Sequence, residues 1–262
     1  MNESYIPKLI HVTWKSKNLP DNFSRVLSYW KSLNPNYKIV LWTDEDNRNL
    51  IREKFPFFLE VYDSYTNHIQ RVDAVRYCIL YTYGGIYVDL DFLPIRPLGT
   101  FFEGKKCVLS KEPPFAAERR NMRKIISNAM MASIPRLNFF KCIIDEMASN
   151  YKLFDHLDEE SRVLETTGPF MLTKAYDIYH PDRDIHLIEY NNFFPFDVFE
   201  IERMYESGEY YDGEGSLSQT IAIHLFCGTW WKDTPIIYCP DKLYSILGNS
   251  EMISNGKNKY GI

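Results

Sequence analysis

The segment Tyr83-Gly84-Gly85-Ile86-Tyr87-Val88-Asp89-Leu90-Asp91 constrains the fold more than any other part of this chain. Ahead of it, Ile69, Val72, Val75, Ile79 and Leu80 recur at helical spacing from about Asn67 to Tyr83, and Gly84-Gly85 supplies a C-terminal stop. Behind the glycines, a short β-branched apolar run reads as a buried strand and ends in two aspartates. In a strand, residues i and i+2 point to the same side, so the spacing predicts that Asp89 and Asp91 face one point in space. A hard divalent cation such as Mn²⁺ or Mg²⁺ takes oxygen ligands of this kind and spends its other positions on water and phosphate oxygens.

The N-terminal part supports an α/β reading. Lys8 to Trp14 and Tyr37 to Trp42 read as strands. Between them, Phe23, Val26, Leu27 and Trp30 form one face of a helix from about Asn22 to Leu33, with Asp21 as its expected N-cap. Thr43 or Asp44 caps a further short helix reaching Lys54. This β-α-β-α order implies a largely parallel sheet with helices packed on it, and ligands of such sheets bind beyond the carboxyl ends of the strands. Farther on, Lys106–Ser110, Ile126–Ile134, Ile185–Glu189 and Ile221–Phe226 read as strands. Arg136–Tyr151 and the segment from Gly168-Pro169 to about Tyr179 read as helices, and residues 207–216 as a Gly-rich acidic loop.

Bulk properties remove several classes. With 262 residues and 45% hydrophobic content, the chain can build one large core, and a single domain over 1–262 is expected. The net charge of −5 and the lack of a long basic run argue against a nucleic-acid partner. The nearest basic cluster, Arg119 to Lys124, reads as a solvated surface that could reach an anionic acceptor. Cys78, Cys107, Cys142, Cys227 and Cys239 are dispersed and odd in number, which suits reduced thiols better than a disulfide framework or a zinc site. No signal-peptide pattern and no apolar run near 20 residues is present, so a cytoplasmic protein with at most peripheral membrane contact is expected.

The setting of the aspartates sharpens their chemistry. A buried carboxylate is costly unless it is paired or metal-bound. The preceding helix carries Arg71, Asp73 and Arg76, and Asp73 and Arg76 share a face at i, i+3. They read either as a structural ion pair or as a carboxylate–guanidinium clamp on sugar hydroxyls and phosphate. Two enzyme classes fit: a metal-dependent glycosyltransferase, and a phosphatase or phosphotransferase with an Asp nucleophile. The second class wants Thr or Val where Leu93 stands, and it usually carries the motif on its first strand. A non-catalytic glycan-binding module is a further alternative that a buried acidic pair disfavours.

Ile6-Pro7-Lys8-Leu9-Ile10-His11-Val12-Thr13-Trp14, Arg71 to Tyr77, and Tyr83 to Asp91 together resemble glycosyltransferase family 32, most closely over residues 5–100. The resemblance implies a GT-A-like α/β fold with a mixed, mostly parallel sheet, a nucleotide-sugar-binding part at about 5–135 and an acceptor-side part at about 136–262. It implies a Mn²⁺-dependent (or Mg²⁺-dependent) retaining hexosyltransferase that uses a UDP- or GDP-sugar and forms an α-linkage on a glycan, glycolipid or polysaccharide acceptor. Asp91 would ligate the metal, and Asp89 would serve both sugar and metal. Asp73 and Arg76 would clamp the donor sugar, and Trp14 would stack on the base with His11 lining the same strand. His224 would complete the metal or diphosphate site, while Asn128 and Gly168-Pro169 would border the sugar pockets. Trp230 matches the late aromatic of the family, next to Thr229 where relatives often carry Ser, and Lys232 is a further diphosphate candidate. Toxin-like modification of a protein acceptor is a third reading.

Overall fold

The computed structural model describes residues 5–179, 184–210, 217–229 and 236–248. In chain order the elements run β1 (Leu9–Thr13), α1 (Asp21–Leu33), β2 (Lys38–Trp42), α2 (Asp44–Lys54), α3 (Leu59–Ser64), α4 (His68–Tyr83), β3 (Gly85–Val88), β4 (Phe92–Pro94) and β5 (Cys107–Lys111). They continue with α5 (Pro114–Arg119), β6 (Ile126–Ser133), α6 (Asn138–Asn150), α7 (Glu159–Thr166), α8 (Pro169–Tyr179), β7 (Ile185–Ile188), α9 (Val198–Ser207), β8 (Ala222–His224) and α10 (Pro240–Gly248). The described residues fall into two compact units. The first draws on Met1–Asn18, Pro35–Asp89 and Gly99–Ile188, and the second on Leu19–Asn34, Leu90–Leu98 and Glu189–Ile262. The units are interleaved along the chain.

The first unit is built on a six-stranded sheet in the order β2-β1-β3-β6-β5-β7. β1 runs parallel to β2 and β3, β6 runs antiparallel to β3 and β5, and β5 runs parallel to β7. The sheet is therefore mixed and mostly parallel, as the β-α-β-α pattern implies. Helix α4 is its best-buried helix. Asp73, Ala74, Val75, Arg76, Tyr77, Cys78, Ile79 and Leu80 are all buried, so polar side chains on it must find partners inside the protein. A capping box between Asn67 and Gln70 starts the helix, and the Gly84 N–H donates to the Leu80 carbonyl at its end. Gly85 has φ +95°, and a Cβ there would lie 2.8 Å from the Leu9 carbonyl oxygen, so only glycine lets β3 settle against β1.

The second unit pairs β4 antiparallel with β8, Phe92 opposite His224 and Pro94 opposite Ala222. Helix α1 packs on β4 and on α10. The Trp30 indole N–H donates to the Phe92 carbonyl (3.0 Å), the Leu98 N–H donates to Asn34 Oδ1 (2.8 Å), and the Tyr244 hydroxyl donates to the Pro94 carbonyl.

Several local expectations need correction. Asp21 is not the N-cap of α1: Pro20, in extended geometry, holds that position, and Asp21 lies in the first helical turn. There its charge still meets the positive end of the helix dipole. Thr43 rather than Asp44 caps α2, in a capping box with Asp46. Arg136 has φ +60°, which delays α6 to Asn138, and Phe226 at φ +50° stands beyond the end of β8. Most consequential is the acidic pair. β3 stops at Val88, where its ladder with β6 ends, and β4 begins at Phe92 in a different sheet. Leu90 and Asp91 form a turn between them. The two aspartates therefore do not occupy alternate positions of one strand, and the same-side argument fails. Asp89 belongs to the first unit and Asp91 to the second.

Candidate active site

In the first unit, the carboxyl end of β3 and the middle of α4 bring three charged side chains together. Arg76 Nη2 lies 2.7 Å from Asp73 Oδ1 and 3.4 Å from Asp89 Oδ1. Its Nη1 donates to the Asn128 carbonyl at 2.7 Å. The guanidinium carbon stands 4.6 Å from the centre of the Tyr87 ring, a cation–π contact. Arg76 Nε, also buried, meets no hydrogen-bond acceptor among the described residues. The Tyr87 hydroxyl reaches Asp89 Oδ1 (2.8 Å) and Thr13 Oγ1 (2.9 Å), and the Tyr77 hydroxyl donates to the Thr167 carbonyl (2.8 Å).

Charge is unevenly distributed here. Burial pushes the Asp73 carboxyl up to about 7, with the Arg76 guanidinium pulling it back and Asp89 adding to the rise. Asn128 and Thr167 side chains favour its ionised form. Burial disfavours the Arg76 charge, yet Asp89, Tyr87 and Asp73 together raise its affinity for the proton, so it stays a cation. The side chains of Asp73 and Arg76 are 7% and 2% exposed, whereas that of Asp89 is 28% exposed. A sealed ion pair therefore backs a carboxylate that solvent or a ligand can reach.

The second unit holds Asp91 and His224. Asp91 Oδ1 lies 3.4 Å from His224 Nε2, and Oδ2 accepts the Cys227 N–H at 3.1 Å. The Asp91 main-chain carbonyl accepts the Leu225 N–H. Burial would raise the Asp91 carboxyl, but His224 and the Cys227 N–H outweigh it and hold the group below the usual carboxylate range. The His224 ring is packed among Phe92, Phe194 and Phe226, with centroids 4.7, 5.3 and 4.4 Å away. The register opposite Phe92 fixes it on β8.

An oxygen and an imidazole nitrogen set side by side and partly exposed (15% and 16%) suit a borderline-hard divalent metal that leaves positions for water and phosphate oxygens. Among the described residues, no three His, Cys, Asp or Glu side chains converge into a complete metal cage. Two protein ligands with substrate oxygens are the arrangement these residues fit.

Other expected site residues sort differently. His11 has both ring nitrogens in use: Nε2 donates to the Gly84 carbonyl (2.9 Å) and Nδ1 accepts the Trp42 indole N–H (3.1 Å). Burial lowers it to about 4, so the ring is neutral and 1% exposed; it ties β1 to the glycine turn and is not placed to line a ligand strand. Trp14 is half-buried just past β1, with its main-chain N–H donating to the Trp42 carbonyl and Lys15 Nζ 5.9 Å from its ring centre. Asn128 is 7% exposed on β6, next to the Arg76–Asp73 pair. Gly168 precedes α8, and Thr167 before it joins the Asp73 environment. Arg71 serves locally, donating to the Tyr65 carbonyl at 2.6 Å. Trp230, Lys232 and residues 211–216 of the acidic loop lie outside the described residues. Sequence reading missed Thr13, Tyr87 and the three phenylalanines around His224. Tyr87 carried a signal, since it stands two residues before Asp89 on a buried strand.

Residues 20–112 match the family model described as the glycosyltransferase sugar-binding region containing a DXD motif. Among curated proteins, the chain is 51% identical over 184 residues to inositol phosphoceramide mannosyltransferase 3 of Schizosaccharomyces pombe, covering 68% of this chain and 48% of that one. It is 32% identical over 179 residues to inositol phosphoceramide mannosyltransferase 2 of the same yeast, covering 68% and 48%. The chain thus spans about half the length of the curated relatives it matches. Among solved structures, the PaToxG glycosyltransferase aligns with TM-score 0.52 at 20% identity, covering 66% of this chain and 69% of that one. The ligand-free glycosyltransferase domain of the YGT toxin aligns with TM-score 0.51 at 12% identity, covering 71% and 80%. These likenesses identify the fold as GT-A-type.

Proposed function

Because the chain belongs to the DXD-containing glycosyltransferase family 32, we propose that it transfers a hexose from a nucleotide-sugar to a glycolipid or glycan acceptor with retention, giving an α-linkage. The observation that carries this reading is the Asp73–Arg76–Asp89 constellation at the end of β3, followed two residues later by the Asp91–His224 pair. Mannose is the favoured hexose and an inositol-phosphate-bearing lipid the favoured acceptor, by analogy with the names of the yeast relatives.

Asp91 and His224 are the residues that would hold Mn²⁺ or Mg²⁺. When bound, the metal supplies Lewis-acid neutralisation of the charge that develops on the leaving diphosphate. Asp89, the accessible carboxylate, accepts hydrogen bonds from hydroxyls of the sugar-nucleotide. Arg76 keeps Asp89 ionised and oriented. Asp73 is sealed behind Arg76, which supports an orienting role and disfavours it as a covalent nucleophile. The acceptor oxygen would bond to the anomeric carbon on the face from which the sugar–diphosphate bond breaks, and its proton would pass to the departing phosphate. Trp14, Asn128 and Trp230 are proposed to bind the nucleotide-sugar. No helix among the described residues is long and apolar enough to cross a membrane, and contact with a lipid acceptor is proposed as peripheral.

The test is a thermal-shift and hydrolysis screen of UDP- and GDP-hexoses with and without Mn²⁺. A ligand bound to the native state alone raises stability by about 2.7 kcal/mol at a hundredfold excess over Kd. Metal-dependent stabilisation and sugar release with a nucleotide-mannose is the expected result. Release of phosphate from simple esters, with no response to any nucleotide-sugar, would replace this reading with the Asp-phosphatase alternative.

A further inference from the structure

Thr13, Tyr87 and Asp89 form a hydrogen-bonded series whose direction follows from counting protons. Asp89 is held beside the Arg76 guanidinium as a carboxylate and can only accept, so the Tyr87 O–H donates to it at 2.8 Å. Tyr87 has no second proton, so across the 2.9 Å Thr13–Tyr87 contact the Thr13 hydroxyl is the donor. Hydrogen bonds aligned in this way polarise one another, and here the two hydroxyls sit in a low-dielectric interior: Tyr87 is fully buried and Thr13 is 9% exposed. The same Tyr87 ring packs against the Arg76 guanidinium, so one side chain locates both the accessible Asp89 carboxylate and the buried cation behind it.

Thr13 lies on β1 at its carboxyl end, one residue before Trp14. We propose that Thr13 is a positioning residue for the transfer reaction: its hydroxyl, acting through Tyr87, sets the orientation of the Asp89 carboxylate and links the β1 end to the acidic motif. This rests on the reading above, in which Asp89 touches the nucleotide-sugar. The hydroxyl is the functional part, and the β-branched shape is not. Valine at this position would pack equally well and pair equally well with β2, yet would leave the Tyr87 oxygen without its donor.

The test compares Thr13→Val, Thr13→Ser and Tyr87→Phe in nucleotide-sugar hydrolysis. Thr13→Val should lower kcat about tenfold, the lower end of what loss of an outer-shell partner costs, and leave KM for the nucleotide-sugar nearly unchanged. Thr13→Ser should restore kcat. In the Tyr87→Phe background the Thr13→Val substitution should add less than about twofold, because the series is already cut. An unchanged kcat in Thr13→Val, or full additivity of the two substitutions, would overturn the proposal. If the wild-type chain hydrolyses no nucleotide-sugar, the functional reading has failed. The series is then judged by a thermal-denaturation double-mutant cycle: coupling between Thr13→Val and Tyr87→Phe supports its existence, and independence refutes it.

Discussion

Arg76 Nη2 reaches Asp73 Oδ1, one turn earlier on the same helix, across 2.7 Å, and both side chains are shut away from solvent. Removing one member of such a buried pair leaves an uncompensated charge. Arg76→Met takes away the cation between Asp73 and Asp89. We expect a loss of about 3–5 kcal/mol in urea denaturation, together with loss of transfer activity. A variant of wild-type stability would show that the pair contributes nothing to holding α4 against β3.

Asp73 titrates near neutrality because burial resists its charge. If it must be ionised to hold Arg76 in place for catalysis, turnover should fall as pH drops below about 7, following one protonation. The stability effect has the opposite sense. A carboxyl whose folded value is raised from 3.8 takes up its proton before the unfolded chain does, so its contribution to stability grows as pH falls from 7 towards 4 and is lost as pH rises again through 7. A flat activity profile from pH 8 to 5.5 would contradict the role.

His11 works the other way. Its folded value of about 4 lies below the usual 6.5 of an imidazole, so the unfolded chain binds the proton first on acidification. Stability is complete above pH 6.5 and is lost as pH falls towards 4, by about 3 kcal/mol for a shift of this size. His11→Gln should remove this component of the pH dependence, measured as Tm against pH. Because Asp73 and His11 oppose each other in the same window, each single variant should change the slope with opposite sign.

Asp91 and His224 are expected to carry the metal dependence. Asp91→Ala should leave the far-UV spectrum native while lowering Mn²⁺ affinity and metal-stimulated sugar release at least about tenfold, as seen when metal-site partners are lost. Titration of Mn²⁺ by its EPR signal gives the affinity independently of turnover. Full activity of this variant, or of the wild type in EDTA, would remove the metal from the mechanism.

Gly85 offers a backbone test. With φ +95° and a virtual Cβ 2.8 Å from the Leu9 carbonyl, Gly85→Ala should cost about 2 kcal/mol or more and separate β3 from β1. Gly99, whose Cβ would meet nothing within 4 Å, is the control for a positive-φ glycine without a close neighbour. Equal losses at the two positions would mean that φ alone, and not the approach to β1, explains the need for glycine.

What could be read from the chain alone was set by local chemistry. The 3.6-residue stripe of α4, its glycine stop, the β-branched runs of β1 and β3 and the i, i+3 spacing of Asp73 and Arg76 are near-neighbour patterns. Each is legible because helix and strand periodicity act over a few residues. The family-specific motif followed from the same local string. Tertiary structure decided the rest. It ended β3 at Val88, so that Asp89 follows the strand, Asp91 stands on the turn after it, and the two belong to different packing units. It used up both nitrogens of His11 across a span of 73 residues to Gly84 and gave Asp91 the imidazole of His224 on β8. It brought the hydroxyls of Thr13 and Tyr87, 74 residues apart, into hydrogen-bond contact behind Asp89. Those choices depend on which strands pair and which charges must be satisfied once buried, and neither is a property of any short stretch of sequence.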